Sequence, residues 1–95
     1  MITTKDTVAK SKELLMSTID NEAVILGISS GTYFGLNEIG TRIWSLLDQP
    51  VKVISLIKLL LDEYDEEEKV ITEHIIEFLN ALYSKSLIVL VDENK

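Results

Sequence analysis

The 95-residue chain contains no cysteine, one proline and one histidine, and these scarcities exclude several classes of protein. Without cysteine there are no disulfides, no thiolate metal ligands and no cysteine nucleophile. The same absence fits a cytoplasmic protein. No apolar run approaches the roughly 20 residues that span a bilayer, and residues 1–10 lack the apolar segment of a signal peptide. We therefore expect a protein that is neither exported by this route nor embedded in a membrane.

Basic residues are also few. Nine lysines and arginines stand against 16 aspartates and glutamates, which gives a net charge of −7. Domains that bind nucleic acid normally carry a basic face that neutralises phosphates, whereas the basic residues here are scattered. Nucleic acid is therefore not an expected partner. The other proportions, 46% hydrophobic and 26% charged residues, are typical of one globular domain.

The first part of the chain has the pattern of a small sheet. Residues 1–12 are polar and aperiodic, so we predict a flexible arm followed by a single domain over residues 13–92. Three segments rich in branched and apolar residues then alternate with the turn signals Asp20–Glu22 and Ser29–Gly31. These segments are Leu14–Ile19, Ala23–Ile28 and Thr32–Leu36. Short strands joined by tight turns predict an antiparallel meander.

Helical spacing follows directly. Asn37 is a suitable N-cap for a first helix that runs to about Leu47. Val53–Tyr64 repeats apolar residues at the i, i+3, i+4 and i+7 spacing of one buried helix face. Asp65 and Glu68 have the spacing of a capping box, which predicts the start of a third helix.

The third helix is predicted to run to about Ser84, and Leu87–Val91 then reads as a short closing strand. The sequence does not indicate which strand this closing strand pairs with. The expected fold class is α+β: a three-stranded antiparallel sheet followed by a three-helix bundle, with a short C-terminal strand. This is the outline of a winged helix-turn-helix domain.

No motif in the chain indicates catalysis. His74 lies at the edge of an apolar helix stripe and has no evident catalytic partner. The acidic run Asp62–Glu68 lacks the alternating ligands and the glycine of a calcium loop, so a solvated, helix-capping role explains it better. We therefore expect no enzymatic activity, no metal and no cofactor. A free edge of the meander could instead accept an extended peptide, or it could be covered by the protein itself or by a second copy.

Three segments resemble a known family when they are taken in order. They are "YFGLNEIGTRIWSLLDQ" (Tyr33–Gln49), "VISLIKLLLDEY" (Val53–Tyr64) and "ITEHIIEFLNALYSKSLI" (Ile71–Ile88). They are similar to the PqqD-type peptide-recognition domain of pathways that make ribosomally synthesised, post-translationally modified peptides. The resemblance extends over about Leu14–Val91. One position departs from it: Ser86 stands where the family often has glycine, which affects the turn into the last strand.

The resemblance implies a binding function. A leader segment of a precursor peptide would add as an antiparallel strand beside the third strand, with its apolar side chains in a groove against the third helix. Carried over by position, the docking edge consists of Thr32, Tyr33, Phe34, Gly35 and Leu36. The groove wall consists of Val70, Ile71, His74, Ile75, Phe78 and Ala81. On the helix surface we favour the flank of His74 and Ala81 over the flank of Ile76 and Tyr83, because a small alanine leaves room for a guest side chain.

Within this family, the chain most resembles the stand-alone leader-binding subunit of lasso-peptide biosynthesis. That likeness implies two further partners, a cysteine-protease-like leader peptidase and an ATP-dependent cyclase. The alternative is a PqqD-type chaperone for a radical-SAM enzyme. A monomer is expected, with a dimer through the vacant strand edge as the alternative.

Two hypotheses of other classes remain at this point. The topology would also suit a winged-helix DNA-binding regulator, but a recognition helix that begins with Glu66, Glu67 and Glu68 would be repelled by phosphate. A metal-binding or catalytic protein would have to depend on His74 and the acidic run. Neither alternative explains the strand edge.

Overall fold

The computed structural model describes residues 1–12, 14–19, 22–28 and 31–91. Within them the elements follow in the order β1 (Thr7–Lys10), β2 (Leu14–Ile19), β3 (Glu22–Gly27), β4 (Tyr33–Leu36), α1 (Glu38–Ser45), β5 (Val51–Lys52), α2 (Val53–Glu63), α3 (Glu68–Ser84) and β6 (Ile88–Val91). Of the predicted turns Asp20–Glu22 and Ser29–Gly31, residues 20–21 and 29–30 lie outside the described residues. Glu22 is the first residue of β3, and Gly31 has φ of 69°.

The predicted meander is present as an antiparallel sheet in the order β2-β3-β4. Its register pairs Leu15 with Leu26 and Leu26 with Tyr33, so these three side chains form one row across the sheet. Ile25 and Leu36 lie on the opposite face and are buried. The alternation of buried and exposed residues along β3 and β4 therefore follows the period of two that the sequence predicts.

A second sheet has the order β5-β1-β6 and corrects the prediction for the N-terminus. The predicted flexible arm contains β1, the central strand of this sheet, so the domain does not begin at residue 13. All four residues of β1 pair with β6, and Val8 is fully buried. Ile2 is also buried, and its N–H donates to Asn80 Oδ1 at 2.9 Å. The arm was mispredicted because its partner β6 lies near the other end of the chain and leaves no local pattern.

The first two helices agree with the sequence. Asn37 caps α1, since its Oδ1 accepts from the Gly40 N–H at 2.8 Å. α2 buries Val53, Leu56, Ile57 and Leu60 on one face, as its spacing predicts.

The predicted capping box of α3 is wrong. The N-cap is Glu67, which makes no side-chain capping bond, and the helix begins at Glu68 rather than after Asp65. The predicted end at Ser84 is confirmed. The α+β class and the winged helix-turn-helix frame are also confirmed, with α2 and α3 as the helix pair and two small sheets rather than one.

The core lies between the helices and the two sheets and includes residues from both ends of the described chain. Its fully buried members include Ile25, Leu47, Leu60 and Leu79. Trp44 is only 3% exposed, and the Lys10 ammonium lies 4.7 Å from the centre of its ring. This cation–π contact joins β1 to α1.

A surface ion pair joins α1 to α2. Arg42 donates from Nε to Glu63 Oε1 at 2.8 Å and from Nη2 to Oε2 at 2.5 Å. These hydrogen bonds lower the pKa of the Glu63 carboxyl and raise the pKa of Arg42. The bidentate geometry holds the C-terminal ends of the two helices together.

α3 ends in a Schellman motif. The N–H of Ser86 donates to the Tyr83 carbonyl, and the N–H of Leu87 donates to the Leu82 carbonyl, each at 3.0 Å. Ser86 has φ of 61°, the left-handed region that usually takes glycine. Ser11 Oγ donates to the Ser86 carbonyl at 2.7 Å. The turn into β6 therefore forms with serine at the position where the resembling family often has glycine.

Candidate functional site

The outer edge of β4 has no strand partner among the described residues. The Gly27 N–H donates to the Thr32 carbonyl at 2.8 Å, which fixes the direction of the backbone groups along β4. Antiparallel strands turn these groups alternately toward and away from a neighbour. The backbone N–H and C=O groups of Phe34 and Leu36 therefore point toward β3. Those of Tyr33 and Gly35 point to the open edge. Both Tyr33 and Gly35 are exposed.

An apolar groove of about 370 Å³ lies beside this edge, between β4, α1 and α3. Its lining consists of Phe34, Asn37, Ile39, Gly40, Ile43, His74, Glu77, Phe78 and Ala81. Most of these side chains are apolar, and the polar ones lie at the rim. Such a groove can take one or two apolar side chains of a guest that runs along the strand.

Phe78 forms the wall of the groove through contacts with two elements. Its ring meets Phe34 of β4 edge-to-face, with centroids 6.0 Å apart at an interplanar angle of 74°. On its other side the ring packs against Gly40 of α1, where an added Cβ would lie only 3.1 Å from Phe78 Cε1. Gly40 thus allows α1 to approach α3 closely, and this approach sets the width of the groove.

A more open cleft of about 470 Å³ continues along the edge of β4. It is lined by Gly31, Thr32, Tyr33, Phe34, Gly35 and Lys85. Lys85 is the C-cap of α3, so the end of this helix brings a cation to the strand edge. Phe34 borders both the cleft and the groove, so the two adjoin at this residue, and together they are called the depression along β4.

The structure brings part of the predicted set together. Phe34, His74, Phe78 and Ala81 line the groove, and Thr32, Tyr33 and Gly35 line the cleft. The groove thus lies on the His74 flank of α3. Ile71 and Ile75 are each 1% exposed and belong to the core, as does Leu36. Val70 is half-buried and does not line the groove.

The sequence did not indicate the contribution of α1 to the site. Asn37, Ile39, Gly40 and Ile43 all line the groove, and each was predicted only as a cap or as a helix residue. Their role depends on how closely α1 packs on α3, which is a tertiary property. The one signal available was Gly40 inside a helical pattern, because a glycine there often marks close packing.

The structure bears on the other hypotheses as well. Glu66, Glu67 and Glu68 are all exposed at the start of α3, where a DNA-reading helix would need to approach phosphate. Among the described residues, no three or more His, Asp or Glu side chains are grouped so that they could hold a metal ion. In the same part of the chain no helix has both the length and the apolar character needed to cross a membrane.

A free strand edge continuous with an apolar groove, on a winged helix-turn-helix frame, defines a domain of the peptide-recognition type. The chain belongs to the PqqD family, because the family described as coenzyme PQQ synthesis protein D (PqqD) matches residues 22–88. The search of the curated proteins gave no match.

A solved structure supports the same relationship. It is described as TbiB1 in complex with the TbiA(beta) leader peptide, and it is 31% identical in sequence to this chain. The match covers 92% of this chain and 96% of the other, with a TM-score of 0.73. The similarity therefore extends beyond the residues matched by the family pattern and includes most of the chain.

Proposed function

We propose that this protein is a non-catalytic recognition element that binds the leader segment of a ribosomally made precursor peptide. The observation that carries the proposal is the pair of outward-facing backbone units, at Tyr33 and Gly35, beside the groove walled by Phe78. The leader adds as an antiparallel strand to β4. Its backbone bonds to this edge, and alternate side chains enter the groove.

The related TbiB1, whose structure is described as a complex with a leader peptide, supports this assignment. The lasso-peptide pathway is our favoured setting, because the wording of Tyr33–Gln49 resembles its leader-binding subunit most. In it, the chain holds the leader while a cysteine-protease-like leader peptidase and an ATP-dependent cyclase act on the precursor. Service to a radical-SAM enzyme, as a PqqD-type chaperone, is the alternative within the family. In either setting we propose a cytoplasmic monomer without a cofactor.

The proposal is tested with a synthetic leader peptide that carries a fluorescein label. Its sequence is the one encoded by the precursor gene beside the gene for this protein. Titration of the protein should give a saturable rise in anisotropy. Replacement of an aromatic residue or a proline in the leader should weaken binding, because the mostly apolar groove is suited to such side chains. A folded protein that binds no such leader would contradict the proposal.

Gly35 provides a matched pair of variants for the edge. Its N–H faces outward, and an added Cβ meets no atom within 4 Å. Gly35→Pro removes the donor, whereas Gly35→Ala keeps it. We expect Gly35→Pro to weaken leader binding about 5- to 20-fold, which corresponds to one hydrogen bond lost without a substitute. Gly35→Ala should bind within about twofold of the unaltered protein. Circular dichroism checks that both variants are folded.

Equal binding by the two variants would place the leader elsewhere. A change at Phe34 cannot answer the same question, because its ring contacts Phe78 and a charge there would disturb the packing between β4 and α3.

A further inference from the structure

We infer that Lys85 selects an acidic residue in the bound peptide, about two residues to the C-terminal side of the residue that contacts Ala81. The inference rests on the proposed strand addition at β4. It goes further because it assigns a charge preference, at a defined position of the guest, to a site whose lining is mostly apolar.

The first step is the direction of α3 relative to β4. His74, Phe78 and Ala81 lie along α3 beside the groove, which also meets α1 just after β4 ends. Lys85 follows on the same helix and lines the cleft with Gly31–Gly35, at the start of β4. α3 and β4 therefore run in opposite senses along the depression. A guest antiparallel to β4 consequently runs in the same sense as α3.

The second step is the spacing. Lys85 is four residues beyond Ala81, which is about 6 Å along a helix. An extended strand advances about 3.4 Å per residue. Two residues of the guest therefore cover the distance. Two is also the spacing at which strand side chains return to the same face. The side chain that follows the one at Ala81 on the groove face thus comes to Lys85.

The third step is the charge distribution. Lys85 is exposed, and no carboxylate among the described residues forms an ion pair with it. Glu77 lies on the groove rim, toward the other end of the depression. The site thus carries a negative charge at Glu77, four residues before Ala81 on α3, and a positive charge at Lys85, four residues after it. A carboxylate is favoured at the second position and disfavoured at the first.

The test uses the fluorescent leader peptide with a single glutamate placed at each position in turn, and with glutamine at the same position as the neutral reference. An alanine scan first locates the groove anchor. We expect glutamate to bind about two- to fivefold more tightly than glutamine at one position on the C-terminal side of the anchor, as for a rim ion pair. High salt should remove this preference.

Variants of the protein assign the preference to one residue. Lys85→Gln should abolish it, and Lys85→Glu should reverse it. Lys58→Gln removes the same charge from an exposed position on α2 that lines neither the groove nor the cleft, so it should leave the preference intact. A preference that survives Lys85→Gln, or that falls on the N-terminal side of the anchor, overturns this inference alone. A protein that binds none of the peptides overturns the proposed function as well.

Discussion

At the scale of single residues, Ser86 has a strained backbone conformation that the sequence only partly indicates. Ser86 adopts a positive φ at the C′ position of α3, where glycine has no steric penalty. The structure accepts serine because two backbone hydrogen bonds and the Ser11 hydroxyl hold the turn. The departure from the family pattern at this residue thus leaves the turn intact and adds strain to it.

We predict that Ser86→Gly stabilises the protein. Relief of the left-handed strain contributes about 1 kcal/mol, and part of this gain is offset because glycine has a more flexible unfolded state. The expected net gain in the free energy of unfolding is about 0.5 kcal/mol, measured by urea denaturation. Ser84→Gly is the control. Ser84 lies within the last turn of α3, so glycine there should lower the stability of the protein. A loss of stability in Ser86→Gly would show that the positive φ of Ser86 is not a source of strain.

At the scale of elements, β1 shows how a strand can be absent from the sequence pattern and central to the fold. Thr7–Lys10 contains two polar residues and one small one, so no alternation is visible over its length. Its position is set by β5 and β6, which come from distant parts of the chain. The Val53 N–H also donates to the Asp6 carbonyl at 2.9 Å, at the start of α2.

We predict that Val8→Ala lowers the free energy of unfolding by about 1–3 kcal/mol, since Val8 is fully buried in the core. Thermal and urea unfolding would measure the change. Lys12→Ala, at an exposed position beyond β1, should stay within about 0.5 kcal/mol of the unaltered protein. If Val8→Ala were equally neutral, the first ten residues would be the unpaired arm that the sequence suggested.

At the scale of the whole molecule, elements made by neighbouring residues were predictable, and features made by distant residues were not. The spacing of Leu56, Ile57 and Leu60 was enough to define α2 and its buried face. The meander followed from branched segments between turn signals. By contrast, β1 and the α1 wall of the groove depend on pairing and packing between distant segments. The groove includes Ala81 and so lies on the flank that we favoured, because the room left by a small residue is a local property. That a guest binds on this flank stays a prediction.

The net charge of the whole chain opposes self-association. With a net charge of −7 at neutral pH, two molecules repel each other even though β4 has an exposed edge. We predict a monomer near pH 7.5 and self-association as the pH approaches the isoelectric point of about 4.5. Light scattering would measure the molecular mass of the particles as the pH is lowered. Gly35→Pro should reduce the association if copies pair through β4, and unchanged association in this variant would point to another surface.

The contact between Lys10 and Trp44 gives the domain a built-in optical probe. The chain has one tryptophan, and its indole is buried beneath the ammonium of a β1 residue. Its emission should therefore shift to longer wavelength when β1 detaches and water reaches the ring. Its neighbour Ile43 lines the groove, so the same signal reports on the helix against which a guest would bind. The attachment of β1 can thus be monitored in the free and the peptide-bound protein without any added dye.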